Sequence, residues 1–445
     1  MMLDFKLPQS RARKRIRAGR VLAGILSAFL LAETVLFPVE TTKIAWAGGI
    51  PEGMTQEPDA VVSTVAPEGL SITAESVVLM EMESGTVITE KESDKSRPIA
   101  SVTKIMTLLL VLEAVDSGKI KLTDTVTVSE YAASMGGSQV FLEPGETQDV
   151  DTMIKCISIA SANDACVAMA EHLAGTEAAF VEQMNEKAKS LGMKNTTFLN
   201  CCGLDVAGHV SSAKDVALMS RELMKNHPSV TKYSTTWMDT IIHNTRRGAS
   251  EFGLANTNKL LKQYNGITGL KTGSTDEAKY CLSATAERNG VKLVAVVLAA
   301  PDTKTRFREA AALLDYGFSK CTVYKDEGTD FPLSEVEVTR GQESTVKVRI
   351  KEPFSYVFTG GEDLNAIERN VVLKERIEAP LVAGAVIGEY CYSMNGTLLG
   401  KVDIICSEEV KEMTFGASFL KCKELFFGEN KNRPEEKLSL TPSQK

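Results

Sequence analysis

Three short runs constrain this chain more than any other feature: Ser101-Val102-Thr103-Lys104, then Ser161-Ala162-Asn163, then Lys271-Thr272-Gly273. They stand 60 and 110 residues apart, so a fold that uses them together must bring three distant segments to one place. No single run carries the argument. Ser-x-x-Lys recurs from Ser211 to Lys214, Ser229 to Lys232, Ser344 to Lys347 and Ser418 to Lys421, and Ser-x-Asn recurs from Ser393 to Asn395. Most of these copies have local readings. Ser212-x-x-Asp215 ahead of an apolar stretch reads as a helix capping box. Ser344 and Lys347 belong to an alternating strand, where they face opposite sides. Ser393 precedes an Asn395-Gly396 turn. Lys-Thr-Gly occurs once.

The three runs together describe a nucleophilic serine. A hydroxyl attacks poorly until a neighbouring base takes its proton, and residues three apart on a helix share a face. Pro98 precedes Ser101 as Pro does at helix starts. The segment from Ile105 to Leu112 is apolar almost all round, as a buried helix is. Ser101 is therefore expected at the N-terminus of a core helix, where backbone N–H groups and the helix dipole favour developing negative charge. Lys104 must be neutral to act as the base; burial and a nearby cation favour that form, and Lys271 is the expected cation. Ser161 can relay a proton to a leaving amine, and Asn163 can hold a substrate amide. Lys271 and the Thr272 hydroxyl can hold a carboxylate, with Gly273 allowing close backbone approach to the substrate.

The chain is long enough for more than one domain. Ser76 to Met82 and Thr86 to Thr89 read as one hairpin. Tyr280 to Thr285 and Val291 to Leu298 flank Asn289-Gly290, a strong hairpin turn. Helical stretches lie between, from Thr152 to Ala160, Asn163 to Leu173 and Glu177 to Ser190, and Thr305 to Phe318 reads as a closing helix. Ser161-Ala162-Asn163 then falls on a short connection between helices. The expected fold class is α+β: an antiparallel sheet flanked by a helical cluster over residues 65–320. A small all-β sandwich-like domain follows over 325–408, from repeated short alternating stretches broken by Gly360-Gly361 and Asn395-Gly396. Residues 409–428 form an amphipathic helix able to lie on a membrane surface, and 429–445 form a polar tail.

The amino terminus carries Arg11, Arg13, Lys14, Arg15, Arg17 and Arg20, then an apolar stretch from Val21 to Ala32, then Ala45-Trp46-Ala47. That is the pattern of a secretory signal peptide over 1–47, with a linker over 48–64. Glu33 and Pro38 cut the apolar run short of a membrane span. The expected location is extracytoplasmic, at the outer face of the cytoplasmic membrane or in the cell wall. Without the segment's eight basic and three acidic residues, 42 basic and 55 acidic residues remain, a net charge of −13. Such a balance argues against nucleic acid as a partner. Nine cysteines, an odd number, leave at least one unpaired. They sit mostly among apolar neighbours, where free thiols act as small hydrophobes. No C-x-x-C pair is present, so no metal site and no cofactor are expected. His172, His209, His227 and His243 are read as structural.

On these residues the chain resembles the serine-type D-alanyl-D-alanine carboxypeptidases, low-molecular-mass penicillin-binding proteins. The likeness extends to Gly137 through Glu146, Asn195 to Phe198, Gly203-Leu204-Asp205, Gly208-His209, and Asn256-Thr257-Asn258. It implies a β-lactamase/transpeptidase-like catalytic domain. It also implies Ser101 as the acylated nucleophile, Lys104 as proton acceptor, Ser161 and Asn163 as the second catalytic motif, and Lys271, Thr272, Gly273, Ser274 and Thr275 as the substrate wall. The oxyanion hole would be the N–H groups of Ser101 and Ser274. The implied substrate is a peptidoglycan stem peptide ending in D-Ala-D-Ala, with β-lactams acylating the same serine. The sequence departs from the pattern at Thr257, where some members carry arginine, and at Cys201-Cys202, expected to alter packing more than chemistry. A serine β-lactamase and an inactive wall-binding protein are the other readings. The first lacks a Glu-x-x-Leu-Asn-like run between Asn163 and Lys271, and the second does not account for the intact motifs.

Overall fold

The computed structural model describes residues 70–245 and 248–427. The expected signal peptide, linker and polar tail lie outside the described residues.

The catalytic half is built on a five-stranded antiparallel sheet in the spatial order Val87–Lys91, Ser76–Glu81, Val291–Ala300, Lys279–Arg288, Ile267–Thr275. The N-terminal hairpin thus pairs with strands more than 200 residues later, Ser76 opposite Leu298 and Glu81 opposite Leu293. Asn289 and Gly290 both take positive φ, 51° and 83°, as a two-residue hairpin turn requires. The helical cluster expected from the sequence lies on one face of this sheet and the expected closing helix on the other. Both faces are covered. Along Val291–Ala300, Val294, Val296 and Leu298 pack on the helical cluster. Leu293, Ala295 and Val297 pack on Phe307, Ala310, Leu313 and Leu314 of the helix Thr303–Lys320. Burial on two sides is why these strands read as continuous apolar runs rather than alternating ones.

The helices begin where their caps allow. Asp149, Thr176, Ser212 and Asp302 accept N–H bonds from Thr152, Ala179, Asp215 and Thr305, which satisfies otherwise orphan donors of the first turn. These caps open the helices Val150–Ser158, Glu177–Ser190, Ala213–Asn226 and Thr303–Lys320, while Asn163–Ala174 starts without a side-chain cap. The helix Lys104–Asp116, apolar from Ile105 to Leu112 apart from Thr107, runs through the middle of the cluster. The hairpin Met238–Thr245 with Gly248–Ala255 had no counterpart in the sequence reading, because most of its side chains face solvent and leave no hydrophobic period.

The C-terminal half is a β structure of two sheets. One pairs Thr322–Asp326 with Phe354–Phe358; the other has the order Glu335–Glu337, Thr345–Ile350, Thr397–Cys406, Val386–Met394, Ile367–Leu373. Phe354 stacks on Tyr392 with centroids 3.8 Å apart and planes 8° apart, and the Tyr392 hydroxyl donates to Asp326 at 3.1 Å. These contacts join the two sheets. Phe415–Phe427 is helical, with Phe415, Phe419, Leu420 and Phe426 exposed; the side chains of Leu425 and Phe427 lie outside what is described. Among the described residues no helix is long and apolar enough to cross a membrane.

Candidate active site

Ser101 lies in a 3-10 turn, Ala100–Thr103, that leads directly into the core helix Lys104–Asp116. It is therefore one turn ahead of the regular helix rather than within it. The turn is tight: Ala100 takes φ 47°, a left-handed conformation for a residue with a side chain. Two glycines make room for it. A Cβ on Gly203 would stand 2.0 Å from the Ala100 carbonyl oxygen. A Cβ on Gly273 would stand 2.7 Å from the Ile99 carbonyl oxygen and 3.0 Å from the Ser101 nitrogen. The sequence reading gave Gly273 close approach to the substrate. In the structure its bare backbone lets the strand Ile267–Thr275 pack against the serine turn.

Lys104 is fully buried. Its Nζ lies 2.9 Å from Ser101 Oγ, 2.6 Å from Asn163 Oδ1 and 2.6 Å from the Cys202 carbonyl oxygen. Asn163 opens the helix Asn163–Ala174. Its Nδ2 donates to the Gly136 carbonyl at 2.6 Å, which fixes its oxygen toward Lys104. Ser161 stands on the short connection before that helix, at φ 61°. Among the described residues its buried hydroxyl has no hydrogen-bond partner.

Lys271 is also buried, but among the described residues its one hydrogen bond is to the Thr272 carbonyl at 3.3 Å. Burial first, then the neighbouring Lys104, pushes it well below the usual lysine range. The expectation had cast Lys271 as the cation, and it is the lysine whose charge the surroundings oppose. Thr272 Oγ1 meets Thr257 Oγ1 at 2.6 Å, so Thr257 braces the strand where an arginine stands in some family members. Ser274 is exposed, and the Thr275 hydroxyl donates to Asp205 at 2.8 Å. All nine predicted site residues therefore lie on the serine turn and the helix it enters, on the helix connection and the helix start after it, or on the edge strand.

Sequence reasoning missed two supports, Arg306 and the Cys202 carbonyl, and the particular contacts of a third, His209. Buried Arg306 donates from Nη1 to the Gly273 carbonyl at 3.0 Å and the Cys281 carbonyl at 3.3 Å, holding the edge strand from behind. Cys202 supplies a backbone acceptor to Lys104, and its thiol is pushed below the usual thiol range, chiefly by its hydrogen bond with Cys201. His209 holds the serine turn. Its Nδ1 accepts from the Leu199 N–H at 3.0 Å, so in the neutral ring Nε2 carries the proton and donates to Thr103 Oγ1 at 2.8 Å. Burial lowers its pKa to about 4, consistent with the structural role read for it. No signal in the sequence marks Arg306, since it lies on the closing helix, beyond the last motif.

A serine–lysine pair at the mouth of a core helix, walled by the edge strand of an antiparallel sheet, is the architecture of the penicillin-recognising serine hydrolases. The chain belongs to the D-alanyl-D-alanine carboxypeptidase family, whose model matches residues 61–302, and the model of the penicillin-binding protein 5 C-terminal domain matches residues 318–412. The D-alanyl-D-alanine carboxypeptidase DacF of Bacillus subtilis (strain 168) is 43% identical over 348 residues, covering 78% of this chain and 88% of that protein. The crystal structure of penicillin binding protein 5 from Haemophilus influenzae is similar at a TM-score of 0.59 and 31% identity, over 78% of this chain and 100% of the other. A peptidoglycan synthesis regulatory factor (PBP3) from Streptococcus pneumoniae is similar at a TM-score of 0.64 and 26% identity, over 77% and 100%. The chain is thus a serine-type D-alanyl-D-alanine carboxypeptidase and a penicillin-binding protein.

Proposed function

We propose that Ser101 attacks the carbonyl of a terminal D-Ala-D-Ala bond in a peptidoglycan stem pentapeptide, forms an ester, and releases D-alanine before water cleaves the ester. The observation that carries this reading is the 2.9 Å approach of Lys104 Nζ to Ser101 Oγ. The other two partners of Lys104, an amide oxygen fixed by Gly136 and a backbone carbonyl, only accept. A neutral amine has two N–H donors and one lone pair. If both donors serve those acceptors, the lone pair faces the serine hydroxyl, which is the arrangement a general base needs. The Ser101 and Ser274 N–H groups, across the contact that Gly273 permits, would receive the oxyanion. Ser161 would pass the proton to the departing amine, and Lys271, Thr272 and Thr275 would hold the terminal carboxylate.

Mass spectrometry after penicillin treatment tests the assignment. A stable adduct on the peptide containing Ser101 is expected, along with loss of D-alanine release in Ser101→Ala. An adduct elsewhere, or undiminished release, would overturn it. Rapid turnover of penicillin would favour the β-lactamase reading instead.

The chain acts outside the cytoplasm and rests on a membrane surface through Phe415–Phe427. This reading is supported by the four exposed apolar side chains of that helix and by the basic, then apolar, amino terminus. Removing residues 415–445 is expected to abolish co-sedimentation with phosphatidylglycerol vesicles while leaving hydrolysis of a soluble peptide intact. Undiminished co-sedimentation of the shortened chain would refute the helix's role.

A further inference from the structure

Behind the lysine wall of the cleft, the described residues hold one group of side chains with the chemistry of a metal site. The Glu177 carboxylate and the thiols of Cys201 and Cys202 place their donor atoms within 4.8 Å of one another. Glu177 opens the helix Glu177–Ser190, and the two cysteines lie on the loop that precedes Gly203. The loop is held in shape by Asn200, whose side-chain oxygen accepts from the N–H groups of Cys202, Gly203 and Leu204 at 3.2, 2.6 and 3.1 Å. The carboxylate is held as well: Oε1 accepts from the Cys201 N–H at 3.0 Å, and Oε2 accepts from the Tyr131 hydroxyl at 2.7 Å. Each oxygen keeps a further lone pair for a ligand bond, and such outer hydrogen bonds are what orient metal-binding carboxylates.

We propose that Glu177, Cys201 and Cys202 form a binding site for a thiophilic divalent cation of the zinc class. Two sulfurs and one carboxylate oxygen suit a borderline-soft ion rather than magnesium or calcium. In tetrahedral coordination, with bonds of about 2.3 Å to sulfur and about 2.0 Å to oxygen, ligand atoms stand roughly 3.5–3.8 Å apart. The present spacing closes to that by shifts of about 1 Å. Three protein ligands leave the fourth position to water. Both thiols are buried, while Glu177 is half-buried and Tyr131 is 50% exposed, so the carboxylate side is the way in. Loading displaces one proton from each thiol and forms two metal–sulfur bonds and one metal–oxygen bond, with no electron transferred. The ion would clamp the helix start to the loop whose Cys202 carbonyl accepts from Lys104. The sequence argued against a metal because it has no C-x-x-C pair. The fold supplies the missing donor from 24 residues upstream.

Cadmium, a spectroscopically visible stand-in for zinc, tests the site in the full-length, chelator-treated chain kept reduced with a phosphine. Exposed Cys422 can also bind this ion, so the reading is the difference between variants. The unmodified chain is expected to bind one equivalent more than Cys201→Ser/Cys202→Ser, with a sulfur-to-cadmium charge-transfer absorbance and a rise in melting temperature that the double variant lacks, and zinc should displace it. Glu177→Gln keeps both thiols and an acceptor for the Cys201 N–H, and should weaken that equivalent by about tenfold or more. Equal stoichiometry and absorbance in the unmodified chain and the double variant would overturn the proposal. If the double variant fails to fold, unchanged affinity in Glu177→Gln overturns it by itself. Neither readout depends on peptide hydrolysis.

Discussion

Replacing Gly273 with alanine probes the contact that sets the serine turn against the edge strand. The new methyl carbon would begin 2.7 Å from the Ile99 carbonyl oxygen and 3.0 Å from the nitrogens of Ser101 and Val102, where ordinary contact starts near 3.4 Å. The gap must therefore open by about 0.7 Å. All three neighbours are backbone atoms, so no flexible side chain can yield. Overpacking of this kind costs about 1–3 kcal/mol of stability. The larger effect should be on rate, because a misplacement of about 1 Å can cost about a hundredfold. The Ser101 and Ser274 N–H groups lie on the two sides of the contact, and the shift separates them. A loss of tenfold to a hundredfold in the acylation rate constant is expected, measured with a fluorescent penicillin, with a lowered Tm and a smaller change in reversible binding. An acylation rate within twofold of the parent, with the Tm lowered as expected, would show that the spacing does not govern the chemistry. Our account of Gly273 would then fail.

Three further outcomes follow from contacts around the same cleft. Asn163→Ala removes the acceptor that fixes Lys104 and should cut acylation about a hundredfold with KM little changed, read from pre-steady-state kinetics. His209 has a folded pKa of about 4 against about 6.5 unfolded, so the unfolded chain binds the extra proton between those values. Stability should therefore be lost as pH falls from about 6.5 to about 4, by roughly 3 kcal/mol in all, and His209→Gln should flatten that slope in denaturant midpoints taken across pH. Binding of a carboxylate-bearing penicillin to Ser101→Ala should be accompanied by net proton uptake over the pH range where free Lys271 loses its charge, because the carboxylate supplies the counter-charge that Lys271 lacks; calorimetry in buffers of different ionisation enthalpy reads it, and buffer-independent heats would refute it.

The chemistry of this chain was more legible than its architecture. Ser101, Lys104 and Asn163 could be paired on paper because helix geometry brings residues three apart together and a short connection frees Asn163 to turn inward. The inner strands Ser76–Glu81, Lys279–Arg288 and Val291–Ala300 were legible because both faces are apolar. What escaped were groups whose work is done by backbone or across long separations. The Cys202 carbonyl accepts from Lys104, 98 positions away; a carbonyl is common to every residue and leaves no trace in composition. Arg306 braces Gly273 from a helix that looked like mere closure. The packing role of Gly273 against the serine turn also left no mark, since a glycine that admits a substrate and one that admits a neighbouring turn look alike in a sequence.

The two buried lysines of the cleft are unequally supported. Lys104 has three partners within 2.9 Å. Among the described residues Lys271 has one long bond, to a backbone carbonyl, and both its burial and Lys104 oppose its charge. On the proposed reading, a peptide that ends in a carboxylate would bring the missing counter-charge to Lys271 and favour its ammonium form there. A peptide whose carboxylate is blocked as an amide would forfeit that pairing. Its KM should therefore rise above that of the free acid, and equal KM values for the two would refute the anchoring role of Lys271.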